Sequence, residues 1–368
     1  MSQASDPAAR AYQLHLVGGF LGSGKTTAII QAAKALMSSG QKVGVITNDQ
    51  GKYLVDTAFF RLSDLPAVEV SGGCFCCNYD DLNTRLDELL SETHPDVVFA
   101  ESVGSCADIV ATVVKPLLAL GGEGKGPASF SVFADARLLL RRLRDEEMPF
   151  SDDVVYIYDQ QIEEAGLIVA NKIDLLQAAL KTELDERIAA RFPGKPVLFQ
   201  TSLSTQGVQG WIEALASGRA APPGQVLQMD YQRYAAGEAS LAWMDQEVQL
   251  TVPPGGGQAV VTEIVRRIAR ALAGQSAGIG HLKFIIRAGG VEAKLSFPTL
   301  EEPGWESGIP VLPGTQVDLL VNARAELPAS RLQDVLRQAL DQPAVQVTFL
   351  AGEAFHPKEP RPTHRFSA

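Results

Sequence analysis

Short apolar segments alternate with longer segments of helical periodicity along the first 220 residues of the chain. Seven stretches rich in β-branched and aromatic residues end in small or polar residues: "YQLHLVGGF", "KVGVITND", "AVEVSG", "DVVFAES", "SFSVFAD", "GLIVANK" and "PVLFQTS". The segments between them repeat apolar residues at helical spacing, as in "TTAIIQAAKALMSSG". This alternation predicts an α/β fold with a mostly parallel sheet covered by helices on both faces. Functional side chains are expected where the carboxyl ends of several strands line one crevice.

A proline- and glycine-rich stretch, "ASGRAAPPGQ" over 216–225, interrupts this alternation and predicts a domain boundary. Beyond it the pattern is strand, helix, three strands, helix and strand, which is typical of a smaller α+β domain of ferredoxin-like type. We therefore expect two domains, over residues 1–220 and 226–368. The final segment "HPKEPRPTHRFSA" is basic and broken by proline, so it is either frayed or laid against another surface.

Composition excludes several classes of protein. A formal net charge of -11 opposes binding to a phosphate backbone, and no block of lysine and arginine interleaved with aromatic residues reverses this locally. No apolar run reaches the roughly 18 residues needed to cross a bilayer. With only four cysteines and no charged-then-apolar leader, the chain is expected to be cytoplasmic. Nucleic acid and membrane are therefore not expected partners.

The stretch "GGFLGSGKTT" fits the pattern G-x-x-x-x-G-K-[ST] and lies between a predicted strand and a predicted helix. Glycines let the backbone N–H groups of such a loop face phosphate groups, and the helix N-terminus adds positive potential. Lys25 is expected to contact the β- and γ-phosphates, and the Thr26 hydroxyl to ligate Mg²⁺. The predicted nucleotide-binding residues of this loop are Gly19, Gly22, Ser23, Gly24, Lys25, Thr26 and Thr27.

The stretch "NKID", with Asn171, Lys172 and Asp174, follows a later predicted strand. A carboxylate at Asp174 can accept two hydrogen bonds from the N1–H and the exocyclic amine of guanine, a pair of donors that adenine does not offer. Downstream of a phosphate-binding loop, this motif favours GTP over ATP.

Two strand-end acids are candidates for catalysis and for Mg²⁺. Glu101 ends the strand in "DVVFAESVG", where a carboxylate can hold Mg²⁺ or polarise the attacking water. Asp49 ends the strand in "VITNDQG"; it either contributes to the Mg²⁺ site or belongs to a turn that leads into Gly51.

The stretch "SGGCFCCNYDD" places three of the four cysteines within four positions, at Cys74, Cys76 and Cys77. Soft thiolates suit Zn²⁺, Cu⁺ and, with mixed ligands, Co²⁺ or Ni²⁺, but all three thiols converge only if the backbone turns here. Two other interpretations stay open. Two of the thiols can form a reducible disulfide that gates the protein, or all three can be small buried residues.

Together these motifs resemble the CobW-like GTPases, a branch of the P-loop GTPases beside the nickel-insertion GTPases of urease and hydrogenase maturation. The likeness rests on "GFLGSGKTT", "GGCFCCN", "ESVG" and "NKID", in that order, and the Cys-x-Cys-Cys element is the discriminating one. The resemblance implies a GTP-hydrolysing metallochaperone that passes a transition metal, Zn²⁺ ahead of Co²⁺, to a client metalloprotein. It implies Cys74, Cys76 and Cys77 as metal ligands, and GTP, Mg²⁺ and a client as partners of a monomer or a nucleotide-dependent homodimer.

Three features depart from the family pattern. Lys52 stands where many relatives carry an acid, so a metal ligand is missing or comes from elsewhere, and the five histidines are scattered, which does not support metal storage. Cys106 and Asp108 stand where alanine and proline are common. Cys106 can add a thiol to the site, although a lone cysteine at a helix start is more often a small buried residue.

The alternatives to a metallochaperone are a GTP-switched protein that recruits partners through its second domain, and a P-loop kinase or ATPase, which "NKID" disfavours. In the second domain, His281 and Lys283 lie on one face of a predicted strand. That face is either solvated, which is the commoner case, or turned toward the first domain.

Overall fold

The computed structural model describes residues 12–51, 60, 63, 65–120, 127–275, 277–298, 304–341 and 345–367. Lys52 lies outside these ranges, as does the side chain of Asp49. Among the described residues, no helix combines the length and the apolarity that crossing a bilayer requires.

The seven strands predicted in the first part of the chain all form, and they make one parallel sheet in the order β3-β2-β4-β1-β5-β6-β7. Their bounds are Gln13–Gly19 (β1), Val43–Asp49 (β2), Ala67–Ser71 (β3), Val97–Glu101 (β4), Pro127–Asp135 (β5), Leu167–Asn171 (β6) and Val197–Phe199 (β7). The α/β prediction is confirmed. Because β1 lies between β4 and β5, the loops after β1 and β4 leave the same edge of the sheet side by side.

Helices cover both faces of this sheet. Their bounds are Lys25–Ser38 (α1), Tyr79–Thr93 (α2), Lys115–Leu120 (α3, continuing a π-helical turn over Val110–Val114), Ala136–Leu143 (α4), Asp152–Glu163 (α5), Ala178–Arg191 (α6) and Gln209–Ala216 (α7). Alternate side chains of the central strands belong to opposite cores: Leu14 and Leu16 pack on one face, and Val17 and Phe99 on the other. Burial on both faces explains why these strands are apolar throughout.

The second part of the chain forms an antiparallel sheet in the order β10-β9-β11-β8-β12. Its strands are Ala242–Thr251 (β8), Ile279–Ala288 (β9), Val291–Pro298 (β10), Gln316–Ala325 (β11) and Gln346–Phe355 (β12), with helices Gly257–Ala273 (α8) and Ala329–Leu340 (α9). Strands β12, β8, β11 and β9 have the ferredoxin-like order, and β10 adds a fifth strand at the edge. The α+β prediction is confirmed, with one strand more than the basic motif.

One helix was not predicted from the sequence. Residues Tyr231–Ser240 form a helix, here called αL because it lies in the linker. The Asp230 carboxylate caps it by accepting from the N–H groups of its second and third residues. It packs on α5 of the first unit: Tyr234 is buried beside Ile157, and a Cβ at Gly237 would meet the carbonyl of Asp153 at 2.5 Å. Its short, mostly polar sequence gives little periodic signal. The division into residues 1–220 and 226–368 stays a prediction.

Candidate functional site

The turn between β1 and α1 has a backbone that glycine makes possible. Gly19, Gly22 and Gly24 have φ values of +124°, +72° and +92°, in the region that side chains disfavour. A Cβ at Gly19 would collide with the backbone of Phe133, and one at Gly24 with the side-chain amide of Asn171. The loop is therefore held against β5 and β6, which the sequence alone did not indicate.

The N-terminus of α1 faces into this turn without a side-chain cap, because its first position is Gly24. The first N–H groups of a helix have no partner within the helix itself, and the helix dipole favours an anion beside them. The buried ammonium group of Lys25 folds back into the loop and donates to the carbonyl oxygens of Gly19, at 2.7 Å, and Phe20, at 3.3 Å. A cation and several N–H groups thus converge on the space that phosphate groups require.

Glu101 ends β4 beside this turn, in register with Val17 of β1 and Thr47 of β2. Its carboxylate accepts a 2.8 Å hydrogen bond from the Thr26 hydroxyl, and both side chains are buried. A hydroxyl and a carboxylate in contact are oxygen donors of the kind that Mg²⁺ prefers. The strand-end position expected for Glu101 is therefore present, directly against the predicted Mg²⁺ residue of the loop.

Asn171, the first residue of the "NKID" motif, is hydrogen-bonded to the phosphate loop. Its amide donates to the carbonyl of Ser23 at 2.8 Å, and its side-chain oxygen accepts from the Ser202 hydroxyl at 2.8 Å. Lys172 adopts a left-handed backbone conformation, with its ammonium 3.6 Å from a carboxylate oxygen of Asp135. Asp174 follows in a short 3₁₀ turn, which directs the motif toward the crevice.

A cavity of about 310 Å³ lies above these groups. Most of the predicted nucleotide residues line it, namely Gly22, Gly24, Lys25, Thr26, Thr27, Glu101, Asn171, Lys172 and Asp174. Gly19 and Ser23 instead shape the loop behind it. The second sheet closes the cavity with Trp243, His281, Lys283, Lys294 and Ser296. The more ordinary interpretation of His281 and Lys283 as solvated was wrong: their face of β9 is turned toward the first sheet.

Beneath the crevice, β1 carries a buried histidine. A ring nitrogen of His15 lies 2.8 Å from the Ser129 hydroxyl, and the ring packs against Phe99. Burial lowers the pKa of His15 to about 4, so the ring is neutral at physiological pH. This part of the sheet therefore stays uncharged below the phosphate loop.

The three clustered cysteines lie in a tight turn between β3 and α2, as their convergence requires. The N–H groups of Cys77 and Asn78 both donate to the carbonyl of Cys74 at 3.0 Å. The sulfur of Cys77 lies 3.1 Å from that of Cys74 and 3.8 Å from that of Cys76, and the structure joins Cys74 and Cys76 as a disulfide. The turn brings all three sulfurs together, in an oxidised form.

Cys106, for which the sequence left open a thiol of the site and a small buried residue, joins this cluster. It is 1% exposed, and its sulfur and those of Cys74 and Cys76 all lie within 4.8 Å of one another. The Gln161 amide fixes the Cys106 carbonyl at 2.8 Å. Burial raises the pKa of the Cys106 thiol well above its ordinary value, and that of Cys77 to a lesser degree. Both groups are neutral thiols in the absence of a cation.

Asn48, which the sequence analysis did not single out, connects the two regions. It lines the nucleotide cavity, and its amide donates to the carbonyls of Val70, at 3.0 Å, and Gly73, at 2.6 Å. Its side-chain oxygen accepts from the N–H of Phe75 at 2.8 Å. The end of β2 is thereby tied to the first residues of the cysteine turn. In the sequence, the position of Asn48 next to the strand-end acid Asp49 was the signal that could have identified it.

The C-terminal tail is laid against the cysteine turn. Thr363 donates through its N–H to the carbonyl of Cys76 at 2.9 Å and through its hydroxyl to that of Cys77 at 3.0 Å. The N–H of Arg361 lies 3.2 Å from the Cys77 sulfur, and Arg365 pairs with the Asp108 carboxylate at 2.8 Å. Between the tail and the turn is a second cavity, of about 860 Å³.

A buried arginine links the second sheet to the segment that carries Cys106. Arg324 of β11 is fully buried, pairs with Glu238 of αL at 3.1 Å and donates to the Ser105 hydroxyl. Its guanidinium also lies over the Trp243 ring, 5.3 Å from the centroid. The segment after Glu101 is therefore held by contacts with both the first and the second part of the chain.

Residues 13–199 match the family model described as CobW/HypB/UreG, nucleotide-binding domain. The chain is 26% identical over 214 residues to a zinc chaperone CobW of Sinorhizobium sp, covering 50% of this chain and 57% of that protein. It is 32% identical over 167 residues to the zinc chaperone YeiR of Escherichia coli, covering 44% and 46%. It is 30% identical to a urease accessory protein UreG of Metallosphaera sedula, covering 54% and 90%. The chain thus spans about half the length of the first two relatives.

Two solved structures align with the chain. HypB from Helicobacter pylori in complex with nickel aligns with a TM-score of 0.43 at 16% identity, covering 59% of this chain and 93% of that one. Zn(II)-bound YjiA GTPase from E. coli aligns with a TM-score of 0.37 at 13% identity, covering 90% and 99%.

Proposed function

Because the chain belongs to the CobW/HypB/UreG family, we propose that it is a GTP-hydrolysing metallochaperone that binds a transition metal at its cysteine turn and delivers it to a client metalloprotein. One observation carries the proposal. Asn48 lines the nucleotide cavity and holds the cysteine turn through Gly73 and Phe75. A change of nucleotide at the end of β2 therefore has a direct route to the thiols.

The nucleotide half of the proposal rests on the phosphate loop. The N-terminus of α1 and Lys25 bind the phosphate groups, and Asp174 reads the guanine edge. Thr26 and Glu101 hold Mg²⁺, which supplies charge neutralisation to the transferring phosphoryl group. Glu101, with Asp49 as the second candidate, orients the attacking water.

The base preference is tested by replacing Asp174. Asp174→Ala removes the acceptor for both guanine donors, so the preference for GTP over ATP should fall by about two orders of magnitude, given roughly 1.5–3 kcal/mol for a hydrogen bond to a charged group. Competition binding with GTP and ATP measures it. Asp185→Ala, an exposed acid of α6, is the matched control. An unchanged preference in Asp174→Ala would remove the guanine assignment.

The metal half rests on the thiols. Cys74, Cys76 and Cys77 are the predicted ligands, and thiolates favour zinc ahead of cobalt among the candidate cargoes. Two relatives bear the name zinc chaperone, which supports zinc as the cargo here and a client metalloprotein as its recipient.

Coupling between the halves is tested with fully reduced protein. Zn²⁺ and Co²⁺ are titrated into the nucleotide-free, GDP-bound and GTP-analogue-bound states. A coupling of about 1–3 kcal/mol, or 5- to 150-fold in affinity, is expected between states. At saturating nucleotide, Asn48→Ala should lose the difference in metal affinity between states. Equal metal affinity in all three states of the unaltered protein refutes the coupling.

A second candidate function is favoured by the disulfide between Cys74 and Cys76. Its formation releases two protons and two electrons to an oxidant, and exchange with a dithiol reductant restores both thiols. Under this alternative the disulfide gates GTP hydrolysis and no metal is carried. GTP hydrolysis that depends on oxidation in metal-free protein, with no metal bound by the reduced form, would favour the redox gate over the chaperone.

A further inference from the structure

The chemistry of the cysteine turn extends to a residue outside its motif. Cys106 lies 29 residues beyond Cys77 in sequence, yet its sulfur is within 4.8 Å of the sulfurs of Cys74 and Cys76. Two thiolates on one Zn²⁺ are separated by at most about 4.6 Å, because each Zn–S bond is about 2.3 Å. In a tetrahedral site such sulfurs lie about 3.8 Å apart, so reduction of the disulfide between Cys74 and Cys76 and movements of about 1 Å bring the three sulfurs onto one ion.

We propose that Cys106 supplies a fourth thiolate, beside Cys74, Cys76 and Cys77, to the ion held at the cysteine turn. This rests on the metal binding of the proposed function. Cys77 lies 3.1 Å from Cys74 and 3.8 Å from Cys76, so it completes the set from the side of the tail. Four thiolates satisfy a tetrahedral ion without a carboxylate ligand.

The surroundings of Cys106 favour its role as a metal ligand over a role in packing alone. Its main chain is fixed by the Gln161 amide, and the Tyr234 hydroxyl lies beside its sulfur as a hydrogen-bond donor. Groups that orient a ligand and donate to it are the usual neighbours of metal-binding side chains.

The position of Cys106 also makes this thiolate the one that nucleotide controls. Glu101, Ser102, Val103 and Gly104 line the nucleotide cavity, and Cys106 follows two residues later in the same segment. A closed four-thiolate site holds zinc firmly, whereas a three-thiolate site leaves a position for a client ligand. When this segment moves, withdrawal of Cys106 converts the four-thiolate site into the three-thiolate site. Cargo release thus becomes a loss of one ligand.

The test counts thiolates around Co²⁺ in protein reduced with a phosphine, which adds no thiol of its own. All four cysteines of the chain lie in this cluster, so the sulfur-to-cobalt charge-transfer band has no background from other cysteines. The intensity should correspond to four thiolates in the unaltered protein and fall by roughly one quarter in Cys106→Ser. Zn²⁺ affinity should fall at least about tenfold, the scale of losing even an orienting group. Cys106→Ala should match Cys106→Ser.

Four outcomes decide the matter. Equal band intensity and Zn²⁺ affinity in the unaltered protein and Cys106→Ser overturn the role of Cys106 and leave the metallochaperone proposal standing. Absence of metal binding by the reduced, unaltered protein overturns both. If the variants fail to fold in urea titrations, X-ray absorption at the zinc edge of the unaltered protein decides, since three sulfurs plus a lighter atom overturn the inference. The same sulfur count with GDP and with a GTP analogue refutes the nucleotide control.

Discussion

The nucleotide crevice and the cysteine pocket lie at the same end of the sheet but are built in different ways. The crevice is made of contiguous motifs, in which Lys25 and Thr26 follow directly from the glycine turn. The pocket is gathered from the cysteine turn, the segment of Cys106, αL and the tail. Local backbone geometry therefore defines the phosphate loop of the crevice, whereas long-range contacts define the whole of the pocket, and the two should respond differently to mutation.

The largest effect is expected where the pocket is tied to the second sheet. Arg324→Ala leaves Glu238 buried without its charge partner, so the free energy of unfolding should fall by about 3–5 kcal/mol in urea titrations. Arg287→Ala, which breaks an exposed pair with Glu292, should cost no more than about 1 kcal/mol. A similar small loss in both variants would mean that the pocket does not depend on its long-range ion pair.

Acid should destabilise the crevice through His15. Its folded pKa, about 4, is below the unfolded value of 6.5, so the unfolded state binds more protons between these values. The stabilisation is complete above pH 6.5 and is lost as the pH falls toward 4, up to about 3 kcal/mol. His15→Gln, which keeps a hydrogen-bonding group, should flatten this part of the stability curve. An unchanged slope contradicts the assignment.

On the side of the cysteine pocket, the contribution of Glu164 to stability should change with pH in the direction opposite to that of His15. Burial raises the pKa of Glu164, whose carboxylate accepts from the N–H of Val110, well above its ordinary value. Its contribution is present below the unfolded pKa and is lost as the pH rises through the folded one. Glu164→Gln should therefore gain stability relative to the unaltered protein as the pH increases. A gain at acid pH instead would reverse this sign.

Loss of Lys25 should separate the two regions functionally. Lys25→Ala should weaken GTP binding roughly ten- to hundred-fold, the value of about 1.5–3 kcal/mol for a hydrogen bond from a charged group. Calorimetry measures it, with exposed Lys34→Ala on the same helix as the control. Metal affinity without nucleotide should not change, and a parallel loss would show that the two regions are not separable.

The smallest effect is expected at the tail. Arg365→Ala removes the pair with Asp108, but the Tyr231 hydroxyl still donates to that carboxylate at 2.6 Å. Stability should fall by about 1 kcal/mol or less, while alkylation of reduced Cys77 becomes several-fold faster as the tail loosens. Arg361→Ala is the control, because only its backbone N–H contacts the Cys77 sulfur. Equal alkylation rates of Cys77 in Arg365→Ala and in the unaltered protein would contradict the expectation that the tail covers this thiol.

Sequence and structure agree best where the signal is local. All seven strands of the first sheet follow from apolar runs, because burial on both faces leaves them little freedom in composition. The helix over Tyr231–Ser240 was missed because its burial is confined to a few contacts such as that of Tyr234 with Ile157. Asn48 gave no periodic signal either, and the strand pattern at His281 did not settle which way its face points. The partners of both residues lie far away in the chain.

The sequence by itself determined the two-part α/β and α+β architecture, the glycine turn with Lys25 and Thr26, and a turn of three cysteines. These features depend on residues near one another in the chain, where backbone preferences and periodicity act. Only the tertiary structure decided that Cys106 joins the thiols, that the tail covers them, and that the second sheet closes the crevice. Those contacts join segments whose separation in sequence carries no local pattern, so packing alone brings them together.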